Sequence, residues 1–322
     1  MPACQLCRPI LRRRNEMARK TKSNSPSQHP GTRPIVRRLW WLYAGAALIL
    51  AAVAVLALTV FGNGGSGKGA AGLPNTPDYH SLLVNPGDAQ KLVLGAHTGL
   101  YVSDDGGRHW RFDALAGDDA MNLARPTGNT IWLAGHEAFK QSLDAGATWV
   151  DVRPSGLPGL DIHGFTVDPR APTTLYAAIA GQGLYRSTDG GGSFSSVSSA
   201  VGADVMALAV MPDGRILAGD MQQGLLESRD GGTSWQQTLR AQVMGLAVNP
   251  DDPKRVLATG AGIALSSDGG KSWRTVIDLP NGAGPVAWSK SDPKLAYAVG
   301  LDRTFYRSND GGTSWQPVGL GR

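Results

Sequence analysis

Cysteine is nearly absent. Of 322 residues only Cys4 and Cys7 are cysteines, in the stretch C-Q-L-C. One such pair cannot complete a zinc site, and no His follows it as haem attachment requires. The Arg-rich segment 1–16, ahead of a second Met at Met17, reads as an incidental tail or an alternative start rather than a metal site. With no Cys downstream, a folded body there owes nothing to disulfides and carries no free thiol into an oxidising compartment. Glutamate is almost as scarce, with Glu16, Glu137 and Glu227 making up the whole set. Glu137 and Glu227 are therefore the only glutamates beyond the N-terminal segment, and any further carboxylate chemistry there falls to aspartate. Compact ligand motifs such as H-x-x-x-H are missing. An excess of positive charge is missing too, once the N-terminus is set apart. Residues 1–62 carry ten Lys/Arg against one Glu (+9), and residues 63–322 carry 21 against 25 Asp/Glu (−4), which together give the net +5. A mildly acidic body gives no support to a nucleic-acid surface.

What is present begins with one long apolar run. Leu39 to Phe61 holds 23 uncharged residues, roughly 35 Å as a helix and enough to cross a bilayer core. Trp40, Trp41 and Tyr43 stand at one end, flanked by Arg33, Arg37 and Arg38. Interfacial aromatics and positive-inside charge then predict a basic cytoplasmic tail over 1–38, a single-pass signal anchor over 39–61 and an extracytoplasmic body, periplasmic or at the cell surface. A cleaved signal peptide is the rival reading. It fits less well, because the run exceeds the usual ~7–15-residue apolar core and no clean A-x-A site follows. Residues 62–77, G-N-G-G-S-G-K-G-A-A-G-L-P-N-T-P, have the composition of a flexible linker.

From Tyr79 onward the chain repeats. The pattern S-x-D-x-G-x-x-W/F occurs as Ser103, Asp105, Gly107, Trp110; Ser142, Asp144, Gly146, Trp149; Ser187, Asp189, Gly191, Phe194; Ser228, Asp230, Gly232, Trp235; Ser266, Asp268, Gly270, Trp273; and Ser308, Asp310, Gly312, Trp315. Successive serines are 39, 45, 41, 38 and 42 residues apart. A period near 40 with short strands indicates a propeller. One repeat parses into strands over 243–250, 255–260, 263–267 and 272–279, the third running through D-G-G into the fourth. The expected fold is all-β: a six-bladed propeller of four-stranded antiparallel blades over 78–322, preceded by the N-terminal transmembrane helix. No strand ahead of Tyr79 is expected to pair with the last blade, so ring closure should rest on packing.

The repeated carboxylate has a local task. D-G-G makes a tight turn, the Asp accepts turn N–H groups, the Ser hydroxyl supports it, and the aromatic packs across the turn onto its own blade. Six copies at blade period argue for architecture over catalysis. This pattern resembles the Asp-box, or BNR, repeat of sialidases, other bacterial glycoside hydrolases, sortilin-type receptors, photosystem II assembly-factor propellers and related WD40- and YVTN-like repeat proteins. The resemblance covers 79–319. It implies a propeller with the boxes on its periphery, and it leaves function open. A sialidase would need an arginine triad, a Tyr/Glu nucleophile pair and an Asp acid/base. The F/Y-R-I-P motif is absent and no arginine trio joins Glu137 or Tyr79, the best-placed tyrosine. Glu227, next to the box Ser228, points to the box end.

Aligning the repeats places a second column at the opposite end, at the start of each innermost strand: His80, Met121, His163, Met206, Met244 and Gly284. Two residues earlier stand Asp78, Asp119, Asp161, Asp204 and then Gln242. Loops between second and third strands add His97, His136, Asp220 and Met221 to the same face. Packing and strand-end capping explain such a column without a ligand. The functional reading is a ligand mouth of Asp78, His80, His97, Asp119, Met121, His136, Asp161, His163, Asp204, Met206 and Met244. Within it, His80, His163, Met121, Met206 and Met244 offer imidazole and thioether ligands suited to a soft metal such as copper. The expected function is non-catalytic: a binding or assembly module taking a protein, glycan or metal at that mouth. The enzyme alternative is a glycoside hydrolase using Glu137, Asp161 and Asp119.

Overall fold

The computed structural model describes residues 70–201 and 204–319. The expected tail 1–38, span 39–61 and the first half of linker 62–77 lie outside the described residues. Among the described residues no helix is long and apolar enough to cross a membrane. What is described is a six-bladed all-β propeller. Blade 1 comprises Tyr79–Asn85, Asp88–Ala96, Gly99–Ser103 and His109–Ala114. Blade 2 comprises Asn122–Ala124, Ile131–Gly135, Ala138–Ser142 and Val150–Asp151. Blade 3 comprises Ile162–Val167, Leu175–Ile179, Gly183–Ser187 and Ser195–Ser198. Blade 4 comprises Val205–Val210, Ile216–Asp220, Gly224–Ser228 and Gln236–Leu239. Blade 5 comprises Gly245–Val248, Val256–Thr259, Gly262–Ser266 and Arg274–Asp278, within two residues of the strands parsed from sequence. Blade 6 comprises Ala283–Trp288, Ala296–Gly300, Phe305–Ser308 and Gln316–Pro317. The four strands of each blade pair antiparallel in chain order.

The core is divided among the seams between blades. Each of six buried clusters joins two adjacent blades: Leu100 with Leu133, Phe139 with Phe165, Tyr176 with Leu208, Leu217 with Val256, Leu257 with Ala298, and Leu94 with Tyr297. Second strands are covered by a neighbour on both faces. They are therefore buried at every position in blades 2 to 6 and read as continuous apolar runs such as Ile131–Gly135 and Leu175–Ile179. Fourth strands face solvent at the rim, which explains polar stretches such as Q-Q-T-L at Gln236–Leu239.

The box turns are built as expected, with one correction. In each copy the Ser hydroxyl donates to the Asp carboxylate, for example Ser187 to Asp189 at 2.7 Å and Ser308 to Asp310 at 2.9 Å. The second Gly N–H then donates to the same Ser oxygen, as Gly232 does to Ser228 at 2.8 Å. The Asp also accepts the N–H four residues on, as Asp230 does from Ser234 at 2.9 Å. The aromatic, however, fills the seam toward the preceding blade instead of folding only onto its own. Trp110 of blade 1 meets Phe305 of blade 6 edge-on, with ring centroids 5.4 Å apart, and Phe194 of blade 3 joins Phe139 of blade 2 at 6.0 Å. Its indole N–H still closes its own turn, Trp110 onto the carbonyl of Gly107 at 3.0 Å. Gly107 needs its bareness twice over: its φ is +89°, and a β-carbon there would overlap the Phe305 ring.

Closure between blades 6 and 1 is tighter than packing alone. Among the described residues no strand before Tyr79 pairs with blade 6, but Ala70–Ala71 adds a short strand to the outer edge of blade 1, pairing with Trp110 and His109. Residues 73–76 then cross to the last blade: Arg303 donates to the carbonyl of Pro74 at 3.2 Å and to Asn75 Oδ1 at 2.6 Å. Tyr297 of blade 6 donates to the carbonyl of Ala89 in blade 1 at 2.9 Å.

Two outcomes follow for stability. Trp110→Ala should cost about 3–5 kcal/mol, as large aromatic deletions do, and should speed proteolysis at the 70–78 segment; denaturant unfolding and limited digestion of the full chain measure both. The box carboxylates also make the fold acid-sensitive. Hydrogen bonds from Thr148 and Ser234 bring Asp144 and Asp230 to about 2; at Asp310 burial is the largest single influence and pushes upward, but the bonds from Ser314, Ser308 and the Thr313 N–H together bring it to about 2 as well. Groups with depressed folded values stabilise fully above the unfolded value near ~3.9 and lose that contribution as pH falls through the folded one. The melting temperature should therefore drop between about pH 4 and pH 2, and drop less in a chain whose box Asp residues are Asn.

Candidate metal and ligand mouth

Strand starts and the loops between second and third strands meet at the end of each blade opposite the boxes. In blade 1, for example, Tyr79 pairs with Ala96, while Ser103 pairs with Leu92 at the other end. Simple alternation does not aim the column residues; bulges do. The register of the first strand shifts between Tyr79 and Ser81, between Ile162 and Gly164, and between Val205 and Ala207. His80, His163 and Met206 are thus the extra residues of β-bulges, a device that turns a side chain out of the ladder.

The four histidines of this face converge on three aspartates of blades 1 to 3. His80 Nε2 and His97 Nδ1 are 2.8 Å apart, and Asp119 Oδ1 lies 3.6 Å from the first and 3.1 Å from the second. Asp78 completes that group. His136 Nδ1 donates to the other oxygen of Asp119 at 2.6 Å. A carboxylate oxygen accepts, so Nδ1 is the donor in this bond and Nε2 is the ring nitrogen left facing the neighbouring blade. That atom lies 3.2 Å from His163 Nε2 and 3.3 Å from Asp161 Oδ1, and His163 Nε2 is itself 3.3 Å from Asp161 Oδ1. Asp119 Oδ1, Asp161 Oδ1 and His163 Nδ1 are shielded from solvent without a well-formed hydrogen bond. Burial is the largest influence on His80 and pushes its pKa down, against the pull of Asp119, which keeps the imidazole neutral and able to donate a lone pair.

Backbone contacts hold the group in place. His136 and Asp161 form a β-bridge between blades 2 and 3, and the N–H of Glu137 donates to the carbonyl of Leu160 at 3.1 Å. Buried Asn122 clasps the His163 bulge, donating to the carbonyl of His163 at 3.0 Å and accepting the N–H of Phe165 at 3.1 Å. At Gly135 a β-carbon would overlap the carbonyl oxygen of Asp119, so the residue before His136 has to be bare for the two to approach. Neither Asn122 nor the bulges stood out in the sequence. The N-L-A run reads as an ordinary strand, and a bulge adds one residue without marking which one.

The rest of the expected mouth divides. Met121, Met206 and Met244 line, with His80, a cavity of about 20 Å³ between the innermost strands. The expected metal set of two histidines and three methionines is therefore regrouped: His80 joins Asp78 and His97, while His163 joins His136 and Asp161. Asp204 stands apart from the cluster and accepts the Gln222 side chain. Asp220 is a buried turn-former that accepts the N–H groups of Gln222 and Gln223 at 2.7 Å each. Glu137 is exposed in a left-handed conformation with φ +53°. Tyr79 is buried, and its hydroxyl donates to the carbonyl of Pro74 at 2.5 Å, so it is tied into ring closure and not poised as a nucleophile. Glu227 does lie at the box end, held by Arg215 and Arg229 at 2.7 Å each. A larger cavity of about 900 Å³ opens on that same box face, lined by Arg170, Arg215, Lys254 and Lys271 among others. Arg170 and Arg215 are already paired there with Asp168 and Asp213.

The model of the family described as photosynthesis system II assembly factor YCF48 matches residues 82–320. The chain belongs to this family of BNR-repeat propellers. Among solved structures, the fold resembles the GH74 xyloglucanase from Xanthomonas campestris, with TM-score 0.57 and 19% identity, covering 78% of this chain and 46% of that one. It also resembles YCF48 bound to D1 peptide, with TM-score 0.50 and 19% identity over 76% and 83% of the two chains. At such identities the likeness concerns the fold alone. A xyloglucanase of Hypocrea jecorina (strain QM6a) is 34% identical over 110 residues, 30% of this chain and 13% of that one. The chain thus spans a small part of that curated relative.

Asn122→Ala should release the His163 bulge and cost about 1–3 kcal/mol by leaving buried backbone groups unpaired. Denaturant unfolding measures the loss, and a shift of the His163 imidazole NMR signals without change at His109 would localise it.

Proposed function

We propose that this chain is a non-catalytic binding and assembly module, anchored outside the cytoplasmic membrane, that takes a segment of a partner protein at the mouth opposite the box turns. Membership of the YCF48 family supports the assembly role, as does the fold shared with a relative described as bound to a D1 peptide. The observation that carries the choice of face is the convergence of four histidines and three aspartates on blades 1 to 3, with His97 and His136 side chains 42% and 43% exposed and so within reach of a ligand. The uncharged run 39–61 with its flanking arginines supports the anchor.

The likeness to GH74 enzymes favours one second reading, hydrolysis of a glycan. Its candidate acids are Asp119, Asp161 and Glu137. Counting against it, the His136 imidazole fills the gap between the Asp119 and Asp161 carboxylates, where an inverting pair needs room for water and a sugar.

Photo-crosslinking in native membranes tests the choice. A crosslinker at His97 should join a discrete protein partner, while one at the exposed box-end residue Leu143 should not. Equal labelling from both positions, or none from His97, would count against the mouth. Release of reducing sugar from xyloglucan that is lost in Asp161→Asn would replace the binding reading with the hydrolytic one.

A further inference from the structure

We propose that His136 Nε2, His163 Nε2 and Asp161 Oδ1 bind one divalent transition cation, with Zn²⁺ the best fit. The three atoms form a nearly equilateral triangle with sides of 3.2, 3.3 and 3.3 Å. Ligands at the corners of a tetrahedron are separated by about 1.63 bond lengths, and zinc bonds to His and carboxylate are about 2.0–2.1 Å, which gives about 3.3 Å. The triangle therefore has the size of one face of a tetrahedral zinc site. Two imidazoles and one carboxylate are a borderline donor set, too nitrogen-rich for Ca²⁺ or Mg²⁺ and lacking the thioether that would favour Cu(I).

The surroundings are those of a prepared site. Asp119 Oδ2 holds the Nδ1 proton of His136 and turns Nε2 toward the triangle, the carboxylate–histidine–metal arrangement that fixes ring orientation and raises basicity. The His136–Asp161 backbone bridge and the Asn122 clasp on His163 set all three ligands on strands or their edges. Without an ion, His136 Nε2 and His163 Nε2 share a 3.2 Å hydrogen bond, and Asp161 Oδ1 beside them is shielded and has no hydrogen-bond partner. A cation would supply the partner that this oxygen lacks. Three protein ligands leave a fourth position, accessible because the Asp161 and His136 side chains are 50% and 43% exposed.

The inference stands apart from the partner-protein reading, since its test uses the metal alone. The full chain in detergent, carrying Cys4→Ser and Cys7→Ser so that the tail contributes no thiolate, is stripped with chelator and titrated with Zn²⁺ by equilibrium dialysis. One tight equivalent is expected, with a melting temperature that rises with Zn²⁺. His163→Ala and Asp161→Asn should each weaken binding about 100-fold or more, and Asp119→Asn about 10–100-fold. His80→Ala, in the neighbouring group, should change it by less than about threefold. Co²⁺ should give the intense visible absorption of a tetrahedral site, lost in Asp161→Asn. Metal-free melting of each variant checks folding; if His163→Ala fails to fold, the half-exposed Asp161 carries the test. Absence of a saturable equivalent, unchanged binding in Asp161→Asn, or a loss in His80→Ala equal to that in Asp161→Asn would overturn the assignment.

Discussion

A propeller closes only if every blade packs against two neighbours, and that constraint organises the rest of this molecule. Apolar surface goes into six seams rather than one centre. The box aromatic is recruited to each seam from the blade behind, and the box glycines are bare partly because the preceding blade presses on them, as Leu184 does on Gly232. Closing the ring also draws six strand starts together around a narrow axis. Polar side chains placed there are forced into mutual contact, and in blades 1 to 3 those side chains are histidine and aspartate.

The fold was largely legible because its signals are local and repeated. The S-x-D-x-G-x-x-W spacing fixes the turn between third and fourth strands, and the continuous apolar runs fix second strands buried on both faces. The sector of the mouth that matters was half legible. Overlaying repeats brought His80, His163 and the Asp column into view, and placed His97 and His136 on the same face. It did not show that a carboxylate from one blade would seat an imidazole from its own second-to-third loop against the next blade, as Asp119 does with His136. Angular position around the ring decides this, and a one-dimensional overlay treats all blades as equivalent. Treating His and Met as one column did not show that His163 would group with His136 and Asp161 while His80 also lines the axial cavity with Met121, Met206 and Met244. The N-terminal clasp was hidden for a related reason: Leu73 to Thr76 have linker composition, and their contacts with Arg303 span the whole length of the propeller.

The two ends of the blades follow different physical rules. At the box end, carboxylates are saturated by turn N–H groups and hydroxyls, and their lowered pKa values record that satisfaction. Basic side chains there, Arg215 and Arg229 with Glu227, are paired with acids. At the mouth, imidazoles and carboxylates meet with more lone pairs than protons and with shielded oxygens lacking good partners. Unsatisfied polarity in a rigid frame is expensive unless something completes it.

The central proposal is that the mouth holds a prepared cation site at blades 2 and 3. Anomalous diffraction at the zinc edge, from crystals of the full chain grown with Zn²⁺, tests it most directly. The account predicts one strong peak equidistant from His136 Nε2, His163 Nε2 and Asp161 Oδ1. A map with no peak there, or with its strongest peak among the box carboxylates, would contradict it.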